Sequence, residues 1–223
     1  LTQAGNITID VADDKTLTYS GSAISLGAYT LTMSGGGRFS NTNHLDLNNA
    51  SSKLLLNSIT VDNVSTTSDS LGLDVDANST VTSLSVANIT PVAIASGSSL
   101  SGGITVTAGS IKLAETGTLA SSISMSGGKI DADNSSTLSG TLTQAGNITI
   151  DVADDKTLTY SGTAISLGAY TLTMSGGGRF SNTNHLDLNN ASSKLLLDSI
   201  TVDSVRTSLA SLGLDVDNDS TVT

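Results

Sequence analysis

The chain contains no cysteine and no tryptophan, and aromatic residues make up 3% of it. Without thiols it has neither disulfides nor thiolate metal sites. Phe39 and Phe180 are the only phenylalanines, which suits a long, narrow core better than a round one resting on large rings for its buried area. Charged residues are scarce at 13%, and the acidic excess is almost all aspartate, with Glu115 the single glutamate. The good helix formers Glu, Lys and Arg are correspondingly rare. A net charge of −11 argues against nucleic acid as a partner, because phosphates select a basic face. No apolar run approaches the roughly 18 residues of a membrane span, so no membrane insertion is expected in this segment.

What the chain does have is Leu, Ile and Val spread evenly, with Ser, Thr, Asn, Asp and Gly between them. Asp and Asn favour turns because their short side chains bond nearby backbone. Apolar residues alternate with a period of two almost end to end. The pattern appears in Ile7-Thr-Ile9-Asp-Val11, Leu17-Thr-Tyr19, Tyr29-Thr-Leu31-Thr-Met33 and Leu71-Gly-Leu73-Asp-Val75, and later in Ile104-Thr-Val106 and Ile123-Ser-Met125. Residues i and i+2 of a strand share a face. Each group therefore buries two or three aliphatic side chains and turns Thr, Ser or Asp outward, which weighs against a disordered acidic chain. Tyr19, Tyr29, Tyr160 and Tyr170 fall at alternation positions and are expected to be buried.

The organising feature is a repeat. A shift of 141 aligns residues 1–82 with 142–223, and the two copies differ at nine positions. Residues 1–141 thus form one full tandem repeat and 142–223 the first part of a second. A repeat of this length exceeds one immunoglobulin-like module but divides into six or seven coils of 20–23 residues with three short strands each. A coil that cannot bury its own apolar face gains stability by stacking on neighbours. The expected fold is therefore all-β: one continuous right-handed parallel β-solenoid (β-helix), right-handed because β-crossovers are. At about 4.8 Å per strand, one repeat extends roughly 30 Å and the chain roughly 50 Å.

The differences between copies are Ser22/Thr163 and a cluster between 57 and 78. That cluster predicts an exposed loop at Ser65–Ser70, and a loop also in the second copy, Ser204–Leu212. Neither end carries a polar cap, so strand edges there are expected to meet further repeats or copies of the chain end to end.

The best metal candidate is Asp74-x-Asp76-x-Asn78, repeated as Asp215-x-Asp217-x-Asp219. Oxygen side chains at i, i+2 and i+4 resemble the first half of a calcium-binding EF-hand loop, though its sixth-position Gly and closing Glu are missing. Asp74 and Asp76 also read as the wet face of a strand around Val75. Asp10, Asp13 and Asp14, with their copies Asp151, Asp154 and Asp155, and Asp131-x-Asp133-Asn134 carry a weaker form of the same signal. His44 and His185 are the only histidines, each in a turn context that suits a hydrogen-bonded surface group better than a catalyst. No Gly-x-Ser-x-Gly elbow with acid and base partners occurs, and no paired carboxylates suggest glycoside hydrolysis. Ser34-Gly35-Gly36-Gly37-Arg38 lacks the Lys-Ser/Thr and following helix of a phosphate loop. No enzyme activity is expected. Thr-x-Thr pairs recur at uneven intervals and read as β-branched strand filler. Asn-x-Ser/Thr acceptors such as Asn6, Asn63 and Asn147 admit glycans if the chain is exported.

Gly102-Gly-Ile-Thr-Val-Thr-Ala-Gly-Ser-Ile-Lys-Leu113 and Ser122-Ile-Ser-Met-Ser-Gly-Gly-Lys-Ile-Asp131 resemble coils of bacterial surface β-solenoids of the filamentous-haemagglutinin and autotransporter-passenger adhesin type. The resemblance covers the whole chain in style, with no diagnostic motif. It implies a secreted segment on the bacterial cell surface, acting as a stalk or filament of a much larger protein. The alternatives are an adhesin module that binds carbohydrate or a surface through a solenoid face, and a calcium-stiffened surface-layer lattice.

Overall fold

The computed structural model describes residues 3–67, 72–75, 79–87, 92–94, 103–113, 116–217 and 219–223. Among them there is no helix, and the chain forms a parallel β-solenoid of about 10 turns. Eleven strands stack on the first face, from Ile7–Asp10 through Lys129–Ala132 and Ile148–Val152 to Gly213–Val216. A second face carries Thr16–Tyr19, Arg38–Asn41, Ser136–Leu138, Thr157–Tyr160 and Arg179–Asn182. A third carries Ile24–Ser25, Leu45–Leu47, Ile104–Val106, Ile123–Met125 and Leu142–Gln144.

Like residues stack on like. On the first face Ile7 lies beside Leu31, Leu31 beside Leu54, and Leu54 beside Leu73. On the third, Ile24, Leu45, Val64, Leu84, Ile104, Ile123 and Leu142 form one file. Nearly all of these side chains are buried, each contributing about 1.5–3 kcal/mol of transfer free energy. The ladder crosses the repeat boundary without a break: Ile130 pairs with Ile150 and Ala132 with Val152. Within the second repeat it is Ile148 that meets Leu172, so the file moves by two residues at the boundary. A shift of two keeps every aliphatic side chain inside, where a shift of one would expose them all.

Coil length departs from the expected 20–23 residues. Ile7 to Leu31 is a coil of 24 and Leu31 to Leu54 one of 23, but Leu54 to Leu73 takes only 19. The wide coils spend residues on corner turns such as Ala12–Lys15, where the Lys15 N–H donates to the Ala12 carbonyl at 3.1 Å. The narrow coils save them by running one strand straight round a corner, as in Thr60–Thr66 and Thr80–Val86. This also corrects the expected Ser65–Ser70 loop: Ser65 and Thr66 belong to that strand and are buried, and 68–70 lie outside the described residues. In the second copy Val205–Thr207 is likewise a strand, in place of the start of the expected Ser204–Leu212 loop.

Glycines in Ser34–Gly37 serve packing. Gly35 has φ +95°, and a Cβ there would strike the Val11 carbonyl of the coil before. Corners are closed by amides reaching between coils. Asn6 Oδ1 accepts from the Thr30 N–H at 2.9 Å, Gln3 Nε2 donates to the Thr30 carbonyl at 2.8 Å, and Asn43 Nδ2 donates to the Gly21 carbonyl at 2.7 Å. Where the chain bends away from the ladder, its backbone groups still need partners, and these side chains supply them.

Candidate functional surfaces

Asp74 points outward from Gly72–Val75, and its carboxylate lies 3.9 Å from Lys53 Nζ. Its copy Asp215 lies 3.6 Å from Lys194 Nζ. Asp217 holds a turn instead: its Oδ1 accepts from the Ser220 hydroxyl at 2.7 Å and the Ser199 N–H at 3.2 Å. Those bonds keep its carboxyl below the usual range, with the Ser220 hydroxyl the largest cause. Asp219 is exposed, and Asp76 and Asn78 lie outside the described residues. Among the described residues no three acidic or imidazole groups converge as a metal cage. Asp74 and Asp215 thus face a lysine and Asp217 a turn.

Asp10, Asp131, Asp133 and Asp151 each have a partner, whereas Asp13, Asp14, Asp154 and Asp155 are exposed at the corner turn. Asp10 Oδ1 accepts from the Ser34 hydroxyl and Asp151 Oδ1 from that of Ser175, each at 2.7 Å. Lys129 Nζ bridges Asp131 and Asp151 at 3.2 Å each, and Lys112 Nζ meets Asp133 at 2.6 Å. His44 and His185 are exposed at the corner before the third face, where their carbonyls accept from Ile24 and Ile165 N–H groups.

Two features escaped the sequence reading. Tyr29 and Tyr170 are 36% exposed, against the expectation that all four tyrosines are buried. Each sits at the corner leading into the first face, where its carbonyl, not its ring, is tied to the next coil by a Lys53 or Lys194 N–H. Tyr160 is fully buried, stacks on Phe180 with centroids 6.2 Å apart, and accepts the Leu142 N–H at 3.0 Å. The second feature is a shallow groove of about 320 Å³ on the second face, lined by hydroxyls of Thr118, Ser135, Thr137, Thr157 and Thr159. Thr118 pairs with Thr137 and Thr137 with Thr159 on successive coils. No signal in the linear sequence marks that row, because its members lie 19 and 22 residues apart. The Thr-x-Thr pairs scatter as expected: Thr30 and Thr32 on the first face, Thr80 and Thr82 in the long strand joining the second to the third, and Thr105 on the third.

Comparison with known proteins finds no matching family model, no matching curated protein and no matching solved structure.

Proposed function

We propose that this chain is a structural repeat region, a stalk or filament, of a large secreted bacterial cell-surface protein. The observation that carries the reading is the ladder from Lys129–Ala132 into Thr149–Val152, which runs through the repeat boundary with backbone pairing and an ion pair. Adding a repeat therefore adds length to one rod rather than another bead. The scarcity of aromatic and charged residues fits a mechanical role. Partners in this reading are further copies or repeats of the same sequence, end to end or side by side, with glycans at exposed Asn-x-Ser/Thr sites.

The second reading is an adhesin module, favoured by the exposed Tyr29 and Tyr170 and the hydroxyl-lined groove. Negative-stain imaging of the purified chain, run alongside a glycan array, separates the two. A thin rod of roughly 50 Å, from ten turns at about 4.8 Å, with no saturable glycan binding supports the stalk. Saturable binding lost in Tyr29→Ala or Tyr170→Ala supports the adhesin, and an isometric particle sinks both. Repeating the melt with a calcium chelator tests the surface-layer reading, which requires a fall in Tm.

A further inference from the structure

The corner between the second and third faces is built differently in the two repeats. In the first, Asn41 is buried on one coil and Asn63 meets it from the next. The Asn63 N–H donates to Asn41 Oδ1 at 3.2 Å, Asn41 Nδ2 donates to the Asn63 carbonyl at 2.8 Å, and Asn63 Nδ2 donates to the Asn41 carbonyl. Each asparagine thus satisfies the other's backbone as well as its own amide. The strand Thr60–Thr66 passes through this corner unbroken.

In the second repeat Asn182 stands at the position of Asn41, but Ser204 replaces Asn63. Serine has no amide to reach back with. The Ser204 N–H turns away to the Thr223 carbonyl at 3.1 Å, and Ser204 sits at φ 51°, a left-handed conformation that serine adopts with strain. Asn182 Oδ1 is left buried without a partner, while its Nδ2 retains the Asn184 carbonyl and a 3.4 Å contact with the Ser204 carbonyl. The strand is cut in two, Thr201–Val202 and Val205–Thr207. A buried acceptor with no donor costs free energy that opening recovers, since water can then supply the bond.

We infer that the Asn41–Asn63 pair is a lock between coils that the second repeat lacks, so that the Asn182–Ser204 corner opens more readily than its counterpart in the first repeat. The other amide ties are kept in both copies. Asn147 Oδ1 accepts from the Thr171 N–H at 2.9 Å and Asn184 Nδ2 donates to the Gly162 carbonyl at 2.6 Å, as Asn6 and Asn43 do in the first. The release is specific to one corner and one residue type.

Hydrogen–deuterium exchange on the full chain tests this with reciprocal variants. Ser204→Asn is expected to raise amide protection across 201–207 by about tenfold or more, the scale of one restored buried hydrogen bond. Asn63→Ser is expected to lower protection across 60–66 by a similar factor, at a corner covered by coils on both sides. Combining Asn41→Ala with Asn63→Ser should cost little beyond either alone, because the two residues act as a pair. Unchanged exchange in Ser204→Asn, or losses at Asn41 and Asn63 that simply add, would overturn the inference.

Discussion

The coil that begins at Ile7 and the coil that begins at Ile148 have one sequence, apart from Ser22 and Thr163, and two different levels of burial. Leu17 is 45% exposed, whereas Leu158 in the same setting is 0%. Ile9 is half-buried and Ile150 fully buried. Over the second of these coils lie Lys129–Ala132 and Ser136–Leu138, paired residue for residue with Ile150 and Leu158 and their neighbours. The last coil repeats the lesson from the other side: Leu214 is 41% exposed, and Leu73, its copy, is 1% exposed because the strand Val92–Ile94 follows it. Burial in this fold is therefore a property of neighbouring pairs of coils rather than of any coil's own sequence, which is the nearest-neighbour energetics of a solenoid.

The largest contrast should come from a charge. Ile150→Asp places a carboxylate between Ile130 and Met174, and an unpaired buried charge costs about 3 kcal/mol or more. Ile9→Asp introduces the same group where one side is open to water, and less than half that loss is expected. Urea midpoints of the two variants check it, and equal losses would break the pairwise account of burial.

Leu158→Ala and Leu17→Ala form a gentler version. Leu158 packs between Ser136 and Phe180, so its truncation should cost about 2–4 kcal/mol, within the range for buried leucines. Leu17 touches Phe39 on one side only among the described residues, and its loss should stay under about 1 kcal/mol. A Leu17→Ala loss matching that of Leu158→Ala would show that a coil carries its own core.

The same contrast explains what could be read from the linear sequence. The period-two alternation and the 141-residue repeat are visible without coordinates, and they suffice for parallel stacking and for the inward residues Ile9, Leu31 and Ile150. Corner chemistry is not visible, because it depends on which coil lies over which. Asn6 and Thr30, or Asn41 and Asn63, are 24 and 22 residues apart, a distance at which no local pattern operates. Tyr29 alternates like a buried residue but stands at a corner, where alternation no longer decides orientation. Ser65 reads as loop because its copy is Arg206. On the strand, either residue finds an aspartate on the neighbouring coil: Ser65 donates its hydroxyl to Asp46 at 3.0 Å, and Arg206 pairs with Asp187 at 2.8 Å. The even spacing of Asp215 and Asp217 likewise hides a change of setting, because the strand ends at Val216 and Asp217 accepts turn hydrogen bonds from Ser199 and Ser220.

The smallest effect separates Asp10 from Asp151, which share a sequence context but not a neighbour. Burial works to raise the Asp151 carboxyl, but hydrogen bonds from Ser175 and from Lys129, together with the ammonium charge of Lys129, hold it below the ordinary carboxylate value. Among the described residues no ion pair reaches Asp10, which keeps only the Ser34 hydroxyl. Because the folded chain binds that proton less readily than the unfolded one, Asp151 adds stability above an unfolded value of about 3.9. The contribution fades as pH falls through the lower folded value. Partial solvation limits it to under about 1 kcal/mol, the range of exposed pairs. Asp151→Asn should therefore lower Tm at pH 7, flatten the acid limb of the Tm–pH curve, and have almost no effect once the pH lies below the folded value. Asp10→Asn should move Tm less at every pH. Lys129 shows the opposite sign: burial works to lower its pKa, but the hydrogen bonds its Nζ donates to Asp151 and Asp131 raise it overall. Its share of the stability is present below an unfolded value of about 10.4 and is lost as pH rises through the folded one. An Asp151→Asn loss of the same size in strong acid as at neutral pH would assign the effect to packing, and the ion pair across the repeat boundary would then contribute nothing to holding the two repeats together.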